Sequence, residues 1–200
     1  MTKILTPREA EALDNHAEQQ ARAQLSCIRD MLAAVSLDWE RLEELRTERA
    51  DLAERLEECE AAYAYHDSDN TKTTPEWVEL KDAREALAEW DNDNTEELCD
   101  LEHSAGDYES QEEAEQAIYE NPLSIEYRSG WASSREEMQP EEFQILLCTG
   151  GPAVRIMGEL NWDGQPDRAW FEYQDWGTPW TMLFEGQADA WDFANRLIQP

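Results

Sequence analysis

Positive charge is what this 200-residue sequence has least of. Sixteen Lys and Arg stand against 47 Asp and Glu, a net charge of −31. That lies far beyond the magnitude of about 2–8 that suits a small soluble domain. A field of this sign repels nucleic acid and anionic membranes and attracts basic surfaces, so neither direct nucleic-acid binding nor membrane binding is expected. Lysine is scarcest, at positions 3, 72 and 81 only, which leaves no Gly-rich turn with the lysine that a phosphate-binding loop uses. Long apolar runs are missing: nothing approaches the roughly 18 residues of a membrane span. Met1-Thr2-Lys3-Ile4-Leu5-Thr6-Pro7 has no apolar signal core, which predicts a cytoplasmic protein. The four cysteines, Cys27, Cys59, Cys99 and Cys148, show no CxxC spacing and are expected as reduced thiols rather than a disulfide frame.

What is present reads first as helix. Thr6-Pro7-Arg8-Glu9 has the form of a capping box with Pro at the first helical position. The helix that follows carries Leu25, Ile28, Leu32 and Val35 at spacings of three and four. Leu37-Asp38-Trp39 then turns the chain. Leu42, Leu45, Arg49, Leu52, Leu56, Cys59 and Tyr63 continue the alternation as a heptad seam with one polar break at Arg49. Two seams joined by a short turn predict an antiparallel helical hairpin. The Leu42–Tyr63 stripe would serve equally as a homodimer seam. His66 to Thr74 is polar and reads as a loop. Thr74-Pro75-Glu76 opens another helix, with Trp77, Leu80, Ala83, Leu87 and Trp90 on one face, and Asp91-Asn92-Asp93-Asn94 interrupts it or caps a short segment holding Leu98 and Leu101. Ser110-x-x-Glu113 is a further capping box, and its short helix ends before Asn121-Pro122.

After Pro122 the period changes to two. Leu123, Ile125 and Tyr127 alternate with polar residues; Phe143–Cys148, Ala153–Leu160 and Ala169–Trp176 read as further strands, and Trp180–Phe184 as extended chain. Thr149-Gly150-Gly151-Pro152 and Asp163-Gly164 mark turns. Gly186–Ile198 closes as an amphipathic helix. Short connections predict an antiparallel β-meander with that helix packed on one face. The fold class is therefore α+β, with an acidic helical region over 1–106 and a compact Trp-rich domain over 107–200.

The charge is uneven. Residues 1–121 hold 34 acidic and 11 basic residues, a net of −23, and residues 122–200 hold 13 and 5, a net of −8. Residues 85–120 hold fourteen acids and no Lys or Arg. Carboxylates spaced along folded helices imitate duplex phosphates, which fall about every 1.7 Å of axis. Apolar residues such as Trp90, Leu98 and Ile118 distinguish this stretch from a disordered acidic tail. The candidate contact residues are Glu89, Asp93, Glu96, Glu97, Asp100, Glu112, Glu113 and Glu115. Trp176 and Trp180, on the bend Asp175-Trp176-Gly177-Thr178-Pro179-Trp180, are candidate aromatic anchors. The plainer reading is a solvated acidic face.

Bond-making chemistry has little to stand on. Cys59, His66, Cys99 and His103 would make a two-Cys, two-His zinc set, but the Cys59-x6-His66 spacing is loose and Cys59 sits on the seam, so buried cysteines and exposed histidines are expected. Asp67-Ser68-Asp69-Asn70 and Asp91-Asn92-Asp93-Asn94 lack the Gly and terminal Glu of a calcium loop. Cys148 precedes a Gly-rich turn, yet the only histidines, 16, 66 and 103, lie in the helical part. No catalytic residue, metal or cofactor is assigned.

Asn121-Pro122-Leu123-Ser124-Ile125 through Arg128-Ser129-Gly130-Trp131, then Ile145 to Ile156 with its Thr149-Gly150-Gly151-Pro152 turn, then Tyr173 to Trp180, resemble over about residues 107–185 a family of small accessory proteins carried by bacteriophages, prophages and other mobile elements. That family brings no agreed catalytic residues. The resemblance implies a host bacterial cell and, by analogy with restriction inhibitors and anti-CRISPR proteins, an anti-defence role. The expected function is inhibition of a CRISPR-Cas or restriction effector by binding its basic nucleic-acid-handling surface. The alternatives are a coiled-coil assembly protein of a phage, or an enzyme using an unrecognised site such as Cys148.

Overall fold

The structure is a computed structural model. It describes residues 7–66, 74–134, 136 and 138–198, with side chains from residue 16 onward except that of His66. The Thr6 cap and the Asp67-Ser68-Asp69-Asn70 segment lie outside the described residues. Helices α1 (Pro7–Val35), α2 (Trp39–His66), α3 (Pro75–Ala105) and α4 (Gln111–Glu120) precede strands β1 (Ser124–Ser129), β2 (Pro140–Cys148), β3 (Ala153–Leu160), β4 (Pro166–Gln174) and β5 (Thr181–Met182), and α5 (Gln187–Leu197) closes the chain. Among the described residues no helix is long and apolar enough to cross a membrane.

The predicted α+β class is the observed one. The five strands form one antiparallel sheet in sequence order, β1-β2-β3-β4-β5. Period-two burial sets its core face, with Phe143, Ile145 and Leu147 of β2 turned inward beside Val154 and Ile156 of β3 and Ala169 and Phe171 of β4. Helix α5 packs on β4 as expected, through buried Ala190, Phe193 and Ala194. Gly158 lies opposite Phe143 in the β2–β3 ladder, and a Cβ there would meet the Phe143 ring at 2.2 Å and the Arg168 carbonyl oxygen at 2.4 Å. Only glycine leaves room for that ring over β3.

The chain divides differently from the sequence expectation of 1–106 and 107–200. Residues 1–36 join 108–200 in one compact unit, and 37–107 form the other. The reason lies in α1. Its stripe Ala17, Ala21, Leu25, Ile28, Met31 and Val35 is buried against α4, α5 and strands β3 and β4, not against α2. Small residues at 17 and 21 admit close approach. Leu25 packs where α5 begins, 2.6 Å from the position a Gly186 Cβ would take. Arg22 pairs with Glu185, and Arg29 with Asp189 at 2.9 Å.

The helical hairpin is therefore α2 with α3 rather than α1 with α2. Leu42 and Leu45 are buried with Leu98 and Ala105, flanked by Leu37, Trp39, Trp90 and Leu101. At the other end the Tyr63 and Trp77 rings lie 5.5 Å apart. The stripe offered to a second copy is thus occupied within the chain. Helix α3 also runs unbroken through Asp91-Asn92-Asp93-Asn94, where an interruption was expected. Within that run Asn94 donates back to the Trp90 carbonyl at 3.0 Å, and Asp91 pairs with Arg49 of α2 at 2.9 Å. Packing and pairing override the weak helix preference of Asn and Asp.

Two stability changes follow. Leu45→Ala should destabilise the hairpin by about 2–5 kcal/mol, read as faster hydrogen exchange of α2 and α3 amides. Gly158→Ala should cost about 1–3 kcal/mol by forcing the Phe143 ring aside, read as a lower urea midpoint for the sheet-bearing unit.

Candidate functional site: an acidic helix face

Helix α3 buries one stripe and exposes the opposite one. Leu80, Ala83 and Leu98 face α2, with Asp91 reaching Arg49 on the same side. Residues 82, 85, 89, 93, 96 and 100 recur at three and four on the far side, and all six are exposed acids. They repeat about once per helical turn of 5.4 Å along roughly 27 Å of axis. Glu85 pairs with Lys81 at 3.3 Å. Among the described residues, no ion pair reaches Glu89, Asp93, Glu96 or Asp100; Asp93 accepts only from the Asn92 side chain.

The cations of the hairpin lie elsewhere. Arg41 donates to both Glu97 oxygens at 3.0 Å, Arg46 reaches Glu102 at 3.3 Å, Arg49 reaches Asp91, and Arg84 reaches Glu60 at 2.8 Å. All four bridge α2 to α3. The two helices together hold twenty acids and six bases. That is about one net charge per 3 Å of a rod some 45 Å long, between the 1.7 Å of duplex DNA and the 3.4 Å of one strand.

The sequence-derived candidates separate accordingly. Glu89, Asp93, Glu96 and Asp100 share the free face of α3. Glu97 does not belong with them, because its carboxylate is tied to Arg41. Asp82 and Glu85 were missed. The spacing of three and four that joins them to Glu89 was visible, but an expected break at 91–94 hid its continuity. Glu112, Glu113 and Glu115 lie on α4, in the other compact unit. Of these Glu112 is exposed, while the other two make local contacts. The Glu113 carboxylate accepts from the Glu109 N–H at 2.8 Å while its own N–H donates to Ser110 Oγ at 3.2 Å, so it serves the helix start. Glu115 is half-buried and accepts from Gln111 Nε2 at 3.2 Å.

The tryptophans lie outside the core. None of the nine is buried; three phenylalanines, 143, 171 and 193, fill the core instead. Trp176 is 78% exposed, with its indole resting on Gly151 so closely that a Cβ there would fall 1.8 Å from Nε1. Its bend is held by Asp175, whose carboxylate accepts from the Trp176 N–H at 2.7 Å. Trp180 is not a free anchor: the Arg155 guanidinium lies 4.0 Å from its ring centre, and Arg155 is itself held by Glu172 at 2.7 Å.

The zinc set is not assembled. Cys59 lies on the α2 seam and Cys99 is exposed on α3. In the antiparallel register Cys59 faces α3 near residue 81, about 27 Å along the helix from Cys99. The His66 side chain is outside the described residues. Among those described, no group of three or more His, Cys, Asp or Glu is placed to hold a metal. Burial pushes the Cys148 thiol pKa up, against smaller lowering effects of a Val154 backbone hydrogen bond and Gln20. A protonated thiol is a poor nucleophile.

Glu97 yields a pH prediction. The Arg41 hydrogen bonds hold its carboxyl below the ordinary glutamate range. A depressed carboxylate pKa contributes stability above the unfolded value and loses it as pH falls through the folded value. In a carboxyl NMR titration Glu97 should titrate below ordinary glutamate, and Arg41→Met should return it toward the usual range.

No protein-family model, curated protein or solved structure matches this chain.

Proposed function

We propose that this protein is an inhibitor that binds the basic, nucleic-acid-handling surface of a host nuclease or effector of the CRISPR-Cas or restriction type. The acidic hairpin takes the place of nucleic acid. One observation carries the reading: the face of α3 formed by Asp82, Glu85, Glu89, Asp93, Glu96 and Asp100 is exposed and acidic throughout, while the cations of the hairpin sit mainly between the helices. The result is a rigid, one-sided row of carboxylates rather than the mixed-sign surface of an ordinary soluble helix. The resemblance of residues 107–185 to mobile-element accessory proteins supplies the bacterial host and the anti-defence role.

A basic groove that accepts phosphates accepts a line of carboxylates by the same Coulombic attraction, strengthened where water is displaced. The inhibitor acts by occupancy, so no bond is made or broken and no cofactor is required. Exposed Trp176 is a secondary anchor of the kind that aromatic residues make at interfaces.

The test is a pull-down from host lysate at low and moderate salt, followed by competition. The retained protein should bind nucleic acid on its own, lose it when this chain is added, and release this chain as salt rises. Affinity should fall about tenfold or more between 50 and 200 mM salt. Joint replacement Glu89→Gln, Asp93→Asn, Glu96→Gln and Asp100→Asn should weaken binding at least as much while leaving the helix content unchanged. A complex indifferent to both salt and these four changes, or recovery only of the chain itself or of virion components, would overturn the reading.

A further inference from the structure

One sheet edge is unpaired, and its sequence is complementary to itself. Strand β1 bonds to β2 on one side only. Exposed edges of this kind accept another strand unless charge, Pro or a bulge blocks them. Within Ser124–Ser129 there is no Pro or Lys, its two charges are of opposite sign, and the one irregularity against β2 falls at the end, between Arg128 and Ser129. Residues 121–135 carry one acid, Glu126, and two bases, Arg128 and Arg135, in a chain of net charge −31. Large apolar groups stand out along it: Leu123 is 59% exposed, Tyr127 52% and Trp131 107%.

We propose that two copies of this chain pair through β1, antiparallel, to make one continuous ten-stranded sheet. The occupant follows from the register. With the two-fold axis at Tyr127, Tyr127 meets its own copy. Glu126 then faces Arg128 of the second copy and Arg128 faces Glu126, while the exposed Leu123 and Trp131 flank the paired strands just outside β1. A shift by one residue sets Glu126 opposite Tyr127 and loses both charge pairs. Opposite charges and apolar groups directly across an antiparallel pair are favourable, and like charges there are unfavourable. The contact is isologous, as a closed two-fold dimer needs. Arg128 also pairs with Glu142 on β2, whereas the β2 neighbour of Glu126 is uncharged Gln144. Position 126 can therefore be changed without disturbing an ion pair inside the chain.

The experiment is sedimentation equilibrium and native mass spectrometry of the full chain in about 0.15 M salt, where charges are screened beyond roughly 8 Å. A mass twice the chain's 23.2 kDa is expected. Glu126→Arg, which sets Arg opposite Arg128, should weaken the dimer at least tenfold, and so should Arg128→Glu. Mixed together, the two variants should form the heterodimer in preference to either homodimer, because each charge then meets its opposite. With the four native cysteines replaced by Ser, Tyr127→Cys should crosslink to its copy under mild oxidation, since paired residues lie within disulfide reach. A chain that stays monomeric up to about 100 µM, where even a micromolar interface is filled, overturns the proposal. So does a dimer that Glu126→Arg leaves unchanged, which would place the contact elsewhere. Neither result bears on the acidic hairpin, whose reading depends on a different partner and a different surface.

Discussion

Like-charge repulsion is the constraint that the hairpin must satisfy first. Two helices carrying twenty acids must approach to about 8–10 Å. Leu42, Leu45, Leu98 and Ala105 supply the burial at one end of the seam, and Leu80 and Ala83 at the other. Flanking that seam along its length, Arg41, Arg46, Arg49 and Arg84 each cross to a carboxylate of the other helix. Exposed pairs of this kind contribute about 0–1 kcal/mol each, too little to hold the helices by themselves. Their effect is to neutralise repulsion where the helices must touch. With those cations committed there, few are left for the outward face of α3, and its carboxylates at 89, 93, 96 and 100 stay free of ion pairs among the described residues.

The sheet-bearing unit solves a related problem with fewer charges. Arg22 and Arg29 join α1 to the start of α5. On the sheet face away from the core, Arg155 is enclosed by Glu172, Gln144 and the Trp180 ring. Two tryptophans take half-buried or exposed positions where the indole N–H finds an oxygen: Trp170 donates to Glu172, and Trp191 to the Pro166 carbonyl. A buried indole must satisfy that donor, whereas phenylalanine carries none. Phe143, Phe171 and Phe193 are therefore the better core fillers in a unit with few internal polar partners.

Much of this was legible in the sequence where a period or a turn signal was local. The alternation from Leu42 to Tyr63 gave α2, Ser110 with Glu113 gave the start of α4, and Asp163-Gly164 gave the β3–β4 turn, where the Gly164 N–H donates to the Asn161 carbonyl. What the sequence left open was partnership. The stripes of α1 and α2 have the same period, and nothing in Leu25, Ile28 and Val35 says whether a helix or a sheet lies opposite. Ala17 and Ala21 were the available hint, since small residues suit close approach. The acidic face was half legible. Its charge was plain, but Asp91-Asn92-Asp93-Asn94 resembles a helix end by propensity, and the helix is carried through by the Arg49 pair from α2 and by Asn94 bonding back to the Trp90 carbonyl. Glu97 and Glu113 were misplaced for one reason: charge alone does not tell a free carboxylate from one already engaged.

The folded state adds something to the acidic face that composition cannot. A disordered chain with the same acids would attract basic proteins at a similar rate, because steering depends on net field. On docking, each ordered residue would then lose about 1–2 kcal/mol of backbone freedom. In α3 that loss is already met by folding, through burial of Leu80, Ala83 and Leu98. The carboxylates also acquire a fixed interval of about 5.4 Å along one face. A partner whose basic groups match that interval engages several at once, and one whose groups do not engages fewer. Net charge therefore governs how fast a basic surface is found, and the helix governs which basic surface is kept.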